Sequence, residues 1–529
     1  MKGEKALGSG ITAKPYLLAI DNGTQSVKAL LFDAEGLLVC KSMVPFKPYR
    51  SSRPGWVEQS PEYFWNCLCR ACRALWIQSK ISPKEVAGVG VTTQRGTMIN
   101  LDGNGNPLRP AFIWLDQRRS TNLPPLGPFW NGLFRMLGLT HTIRGFQTKA
   151  PDNWIAENQP DIWGKTYKYL LLSGYLHHKL TGLYRDSVGN QVGYLPFDFK
   201  RLDWASTGSW RWKALRVHKE MLPQLVSPGE VLGEVSSGAA AETGLSAGTP
   251  VIAAAADKAC EVLGAGCSGP EEACLGYGTT ATINVPSSKY VESYPFVPPY
   301  PSAVPGMYNV EYQNFRGYWL VSWFRKEFGH LEEQMAVEQG LPPERLLDRM
   351  LDQAPPGSMG LVVQPYWTSG VRIPGPEAKG AIIGFGDVHS RAHVYRAILE
   401  GLSYALREGK ERIERRTKIP VKRLMVAGGG AQSDRVMQMT ADIFGVPAVR
   451  PEIFETSGLG AAVDVATGLG IFPDFRTAVR AMSRAGSTFE PDPKKSAQYT
   501  ALYLKVFKRM YRKLKPLYES IQQITGYPN

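Results

Sequence analysis

One local pattern occurs twice in this chain, and it limits the fold more than any other feature. An apolar run ends near a Gly-Thr pair and a second apolar run follows, first in "YLLAIDNGTQSVKALLFD" (16–33) and again in "EEACLGYGTTATINV" (271–285). Two strand–turn–strand units half a chain apart predict an α/β fold built by internal duplication. Further β- and helix-forming stretches fall around them. A strand–turn signal at Glu35-Gly36 leads to a third strand, a helix is expected near 61–79, and "VAGVGVTTQ" (86–94) reads as a strand. Residues 120–230 are loop-rich and Trp-rich and read as a helical insertion. The pattern restarts in "TPVIAAAADKACEVLGAG" (249–266), and "VKRLMVAGGGAQSDRVMQMTADIFGVPAV" (421–449) supplies strand, glycine loop, helix and strand. The halves are expected to meet near 250. That gives a disordered extension at 1–14, domains at 15–250 and 251–490, and a C-terminal helix at 491–529.

A chain of 529 residues exceeds one comfortable core, and 43% apolar content fits two packed domains. No run of eighteen apolar residues and no signal-peptide pattern occurs, so a cytoplasmic protein without a membrane span is expected. Seven cysteines point to a reducing compartment rather than a disulfide framework. Cys67, Cys69 and Cys72 fall with Phe64, Leu68 and Leu75 at helical spacing and read as fillers of a buried helix face. The net charge of +14 raises a nucleic-acid partner. Much of the excess sits in 494–523, with eight Lys and Arg against one Glu. Tyr499, Leu502, Tyr503, Val506, Met510 and Leu514 recur there at three- and four-residue steps, as in an amphipathic helix docked on the body with a basic outer face. No nucleic-acid motif accompanies it.

The stretch Asp21-Asn22-Gly23-Thr24-Gln25-Ser26 is longer than a two-residue hairpin turn. Backbone N–H groups in a glycine turn can converge on an anion, hydroxyls can add donors, and a carboxylate at the strand end can hold Mg²⁺ through water. Gly23-Thr24 and Gly278-Thr279-Thr280 therefore read as phosphate cradles and Asp21 as the metal-placing group. The second turn lacks a matching Asp. An Asx-turn that only satisfies its own backbone is the alternative for the first. Other nucleotide motifs fail. Gly164-Lys165-Thr166 has Gln159 where the Walker pattern needs glycine, and Gly428-Gly429-Gly430 reaches Ser433 where the dinucleotide pattern needs a sixth-position glycine. A nucleotide against the helix start after Gly430 remains open.

Taken in order, these stretches resemble the FGGY family of carbohydrate kinases. "IDNGTQSVKALLFD" and "LGYGTTATI" are similar to its two phosphate motifs, and "VAGGGAQSDRVMQMTADIFGVP" to its adenosine motif. "ETSGLGAAVDVATGLG" is similar to the helix connecting the lobes, and "GAIIGFGDVHSRAHVYRAILEG", with His393, Ala397 and Glu400, to the C-terminal signature. The resemblance implies a two-lobed actin/hexokinase/Hsp70-like (ribonuclease H-like) duplicated fold with ATP in the interlobe cleft. It implies a cytoplasmic enzyme that moves the γ-phosphoryl of ATP, with Mg²⁺, to a sugar or polyol hydroxyl. Asp257 is then the general base, at the start of the second domain, although capping its helix is an ordinary use of such an Asp.

Nucleotide contacts follow at Gly23, Thr24, Gln25, Ser26, Lys28, Gly278, Thr279, Thr280, Gly429, Gly430, Ala431 and Asp434. Sugar contacts follow at Gln94, Arg95, Asp116, Arg118, Asp257, Lys258 and Phe146. Asp116 and Arg118 could equally pair with each other, and Phe146 and Trp154 could be core. Arg95-Gly96 replaces the Arg-Glu of glycerol kinases, and no Met-His-Gly sequence of the xylulokinase type stands there. The family's N-terminal signature places Lys three residues before its Trp, where this chain has Pro151, with Lys149 nearby. A ketose is expected, a pentulose such as xylulose or ribulose before a hexulose. Tetrulose, polyol and autoinducer-2 kinases are the alternatives, and a catalytically silent sugar sensor is the non-enzyme one. A homodimer and no specific nucleic acid complete the expected partners.

Overall fold

The computed structural model describes residues 15–368, 370 and 374–527. The expected disorder at 1–14 lies outside the described residues. The chain forms two units. Unit 1 runs to Gly264 and takes back Tyr300–Met307 and Glu455–Ser483, while unit 2 holds Ala265–Pro299, Tyr308–Phe454 and the chain from Arg484 on.

In unit 1 the strands are β1 (Tyr16–Asn22), β2 (Ser26–Phe32), β3 (Leu38–Pro45), β4 (Val86–Thr93), β5 (Val231–Glu234) and β6 (Pro250–Ile252). They lie in the order β5-β6-β4-β1-β2-β3. β1 to β3 form an antiparallel meander, and β4 runs parallel to β1 on its other side. Leu17 to Ile20 are buried on both faces of β1, as a central strand covered twice requires. One cover is the Pro61–Ser79 helix, where Phe64, Leu68 and the buried Cys67, Cys69 and Cys72 pack with Leu18 and Ile20. All seven thiols are free, and burial pushes the Cys69 thiol up to about 12. The other cover is the Thr456–Gly468 helix, which also packs on the Asp257–Gly264 helix. At that crossing a Cβ on Gly460 would stand 2.0 Å from the Cys260 carbonyl, and one on Gly264 2.0 Å from that of Thr456.

Unit 2 repeats the plan with β7 (Glu272–Tyr277), β8 (Ala281–Ser287), β9 (Tyr308–Asn314), β10 (Arg423–Gly428), β11 (Ala448–Pro451) and β12 (Ala485–Phe489). Their order is β9-β8-β7-β10-β11-β12. β7 to β9 are an antiparallel meander and β10 runs parallel to β7, so the β3-β2-β1-β4 core of unit 1 reappears as β9-β8-β7-β10. The expected duplication is thus present strand for strand.

Two expectations need correction. The division falls at Gly264 rather than at 250, because β6 pairs with β4 and the Asp257–Gly264 helix packs within unit 1. Asp257 therefore belongs to the first unit. The stretch "ETSGLGAAVDVATGLG" packs in unit 1 as well, returning to it after unit 2. The expected C-terminal helix is present from Pro493 to Thr525, with a π segment over Tyr503–Phe507. Its apolar seam does dock on unit 2, with Tyr499, Tyr503, Phe507 and Met510 buried and Lys505, Arg509, Arg512 and Lys513 exposed.

Candidate active site

The six-residue link of the first hairpin is shorter in space than in sequence. β1 extends through Asn22 and β2 begins at Ser26, so the turn is only Gly23-Thr24-Gln25, closed by a Gly23 N–H donating to the Ser26 carbonyl at 3.0 Å. The second turn, Gly278-Thr279-Thr280, has the same length between β7 and β8. Neither Gly23 nor Gly278 has a positive φ, and a Cβ on either would meet nothing nearer than a carbonyl 3.7 or 3.6 Å across its own turn. Neither a positive φ nor crowding within the chain thus calls for glycine at these two positions.

Register places Asp21 between Lys28 on β2 and Thr92 on β4. Asp21 is 9% exposed, and burial lifts its carboxyl to about 6; Lys28 opposes the rise, and the charges of Asp257, Glu455 and Glu261 add to it. Lys28 Nζ lies 2.6 Å from Glu455 and 3.7 Å from Asp21, and Lys41 also holds Glu455 at 2.9 Å. Burial would depress Lys28, but the two carboxylates outweigh it and raise the ammonium. Lys28 is therefore engaged within the unit. Asp257 starts its helix, with its Oδ1 accepting the Lys258 N–H at 2.7 Å. Burial raises its carboxyl, while Arg95 and Lys258 pull it down. Lys258 also pairs with Glu261 at 2.9 Å. The Arg95 guanidinium sits 4.9 Å from the centre of the Tyr300 ring. Asp21, Asp257, Arg95, Lys258 and Glu261 thus form one charged cluster in unit 1.

Around it the turn is held from outside. Tyr49 donates its hydroxyl to the Thr24 carbonyl, and Trp114 Nε1 donates to Thr24 Oγ1 at 3.2 Å. The Gln94 N–H donates to the Asn22 carbonyl at 2.9 Å. Both side-chain polar atoms of Asn22, and Nε2 of Gln94, are buried with no protein partner. Buried polar atoms of this kind ordinarily find water or a ligand. No group of three His, Cys, Asp or Glu suited to a metal occurs among the described residues. A single carboxylate with polar neighbours still fits Mg²⁺, which commonly takes one or two protein carboxylates and fills its shell with water and phosphate oxygens.

Other sequence candidates have different surroundings. Asp116 accepts from Arg118 Nη2 at 2.6 Å and from the Val57 N–H at 2.7 Å, and Arg118 also pairs with Glu58 at 2.8 Å. The Arg118 guanidinium lies 3.7, 4.2 and 4.6 Å from the ring centres of Phe112, Trp56 and Trp154. This pair is a buried knot, which favours the alternative that the two pair with each other. Trp154 is core. Phe146 is partly buried against Tyr194 and Trp210 at 5.5 and 5.6 Å.

Unit 2 brings its own two stretches together. β7 and β10 are in register at Tyr277 and Gly428, so their C-terminal turns are neighbours. Tyr318 bridges them. Its N–H donates to the Gly278 carbonyl at 2.9 Å, and a Cβ on Gly430 would meet its hydroxyl at 2.2 Å. Gly429 is exposed and open, whereas Ala431 offers its carbonyl to Arg450 at 2.6 Å and Asp434 pairs with Arg450 at 2.5 Å. The sequence reading missed Glu455, Glu261, Tyr49, Trp114, Tyr300 and Tyr318. Glu455 and Glu261 lie inside stretches already singled out, but nothing local marks Tyr300 or Tyr318.

Comparison with known proteins decides the family. The model of the FGGY carbohydrate kinase N-terminal domain matches residues 16–264, and that of the C-terminal domain 273–468. This chain belongs to the FGGY family of carbohydrate kinases. It is 30% identical over 497 residues to a sugar kinase of Escherichia coli K12 called uncharacterized, covering 94% of this chain and 93% of that one. It is 29% identical over 503 residues to the xylulose kinase of Lactococcus lactis, covering 94% and 96%. The structure of xylulose kinase from Rhodospirillum rubrum superposes with a TM-score of 0.78 at 25% identity, over 95% of this chain and all of that one. The protein is thus a sugar kinase with the two-domain actin-like fold, and ATP is its expected phosphoryl donor. No helix among the described residues is long and apolar enough to cross a membrane.

Proposed function

We propose that this sugar kinase transfers the γ-phosphoryl group of ATP to a hydroxyl of a small ketose, a pentulose in the first instance, with Asp257 as general base. The observation that supports this best is the charged cluster of unit 1, where Asp257 is held among Arg95, Lys258 and the buried Asp21 beside a glycine turn open to an outside group. Likeness to xylulose kinases over nearly the whole chain supports the ketose.

In this reading the sugar is held by Gln94, Arg95, Asp257 and Lys258, with Phe146 at the edge of its site. Its hydroxyl oxygen attacks the γ-phosphorus, the bond from that phosphorus to the β–γ bridging oxygen breaks, ADP leaves, and the hydroxyl proton passes to Asp257. Burial holds the Asp257 carboxyl above its ordinary value, which suits a proton acceptor, while Arg95 and Lys258 oppose that rise. Thr24, Thr279 and Thr280 would contact phosphates, and the adenine would lie on Gly429, Gly430 and Ala431. Mg²⁺, held by Asp21 through water, would neutralise charge on the phosphates. Gly96 stands with φ +68° beside Trp114, offering backbone where a carboxylate could have gripped a polyol end, which argues against glycerol.

The test is a coupled assay of ADP release against pentuloses, hexuloses, tetruloses, polyols and autoinducer-2 precursors. A pentulose should give the highest kcat/KM. Binding of a sugar with no ADP release from any of them would instead support a silent sensor.

A further inference from the structure

Asp186 is fully buried and far from Asp257 in sequence, yet it anchors the chain that fixes Asp257's position. Its Oδ2 accepts from the Ser173 hydroxyl at 2.8 Å and Gln191 Nε2 at 3.0 Å. Its Oδ1 accepts from the Ser187 N–H at 2.8 Å and Asn190 Nδ2 at 2.9 Å, and His177 Nδ1 lies 3.2 Å away. Four donors converging on one desolvated carboxylate from both ends of a five-residue stretch and from a neighbouring helix make the Val188–Asn190 turn rigid. That turn touches two other segments of unit 1. The Gly189 carbonyl accepts the Ala256 N–H at 3.2 Å, one residue before Asp257. A Cβ on Gly189 would meet Ala255 Cβ at 2.5 Å and the Ser302 carbonyl at 3.3 Å, so the turn is wedged between the backbone leading into Asp257 and the segment that begins at Tyr300. Tyr300 is the ring under Arg95.

We propose that Asp186, acting through the turn that contains Gly189, is the positioning residue that sets Asp257 and Arg95 in register with each other. The inference rests on the proposed role of Asp257. Nothing in Asp186 touches substrate; it fixes the distance between a carboxylate and a cation borne on separate segments, and an error of about 1 Å in such an arrangement costs on the order of 10²-fold in rate.

The experiment uses the full-length protein and three variants: Asp186→Asn, Gly189→Ala, and Gly189→Ala combined with Ala255→Gly, which removes the methyl group that the new one would strike. Each is measured for kcat and KM, and for amide hydrogen exchange of the peptide spanning 253–260, with the β1–β2 hairpin as internal reference. Gly189→Ala and Asp186→Asn are expected to lower kcat by about 10²-fold with KM for ATP unchanged, and to speed exchange at 253–260 but not in the hairpin. Adding Ala255→Gly should recover a large part of kcat. The inference is overturned if folded Gly189→Ala keeps wild-type kcat and wild-type exchange, or if Ala255→Gly gives no recovery. It is equally overturned if exchange rises alike in the hairpin, since the turn would then serve general stability. Should the wild type turn over no sugar, the kinase reading fails, while the exchange comparison still decides the positioning role.

Discussion

Asp21 and Asp257 are carboxylates that burial holds above their ordinary range, and the two make different predictions. For Asp257 the raised carboxyl means that kcat/KM should climb with pH along an acid limb whose midpoint lies above that of a free Asp, near 3.9. Asp257→Asn should remove that limb and lower sugar-dependent ADP release by about 10²–10⁴-fold. For Asp21, the folded protein binds the proton more tightly than the unfolded chain, so its contribution to stability is present at low pH and is lost as pH rises through about 6. Above that, an ionised buried carboxylate opposes folding. Asp21→Asn should therefore raise the melting temperature at pH 7.5, by an amount equivalent to at most about 3 kcal/mol, with the gain shrinking toward pH 4. A melting temperature that falls at pH 7.5 would mean that Asp21's bond to Lys28 outweighs its burial. The positions of Asp21 and Asp257, near a strand end and at a helix start, were legible in the sequence. Their surroundings were not, because Glu455 reaches Lys28 from 427 residues further along the chain and the Tyr300 ring meets Arg95 from a segment outside the quoted stretches.

At the scale of elements, Asp116 and Arg118 show where sequence reading divides. Two opposite charges two residues apart suit a hydrogen-bonding site and an internal pair equally well, and the rings of Trp56, Phe112 and Trp154 packed around Arg118 favour the pair. Arg118→Leu should cost roughly 3–5 kcal/mol of stability, as loss of one partner of a buried pair does, and leave the KM for sugar of the folded fraction unchanged; chemical denaturation with kinetics checks both. The first turn was read as six residues because Asp21, Asn22 and Ser26 are polar, yet Asp21 and Asn22 are buried members of β1 and Ser26 opens β2. The Thr456–Gly468 helix was recognised as an element but expected to connect the lobes, since its packing within unit 1 depends on glycines meeting backbone at Cys260. Gly460→Ala should destabilise the protein by about 1–3 kcal/mol, seen as a lower denaturation midpoint.

For the whole molecule, the duplication was legible because each half carries its own Gly-Thr hairpin, and the strand orders repeat around both. The boundary was not, since the chain leaves unit 1 at Gly264 and re-enters it twice. The net charge of +14 says little about partners here. Lys508 and Lys515 of the C-terminal helix are paired with Glu411 and Glu519, and the exposed cations beside them have no base-reading motif. Any retention on DNA should show no sequence preference and vanish by roughly 0.2 M salt, as a filter-binding titration would show. The central claim is that Asp257 accepts a ketose proton while ATP gives up its γ-phosphoryl group. Sugar-dependent ADP release, measured side by side for the wild type and Asp257→Asn with a pentulose, tests it most directly. The account predicts turnover by the wild type and a loss of about 10²-fold or more in the variant. Equal turnover by the two proteins would contradict it.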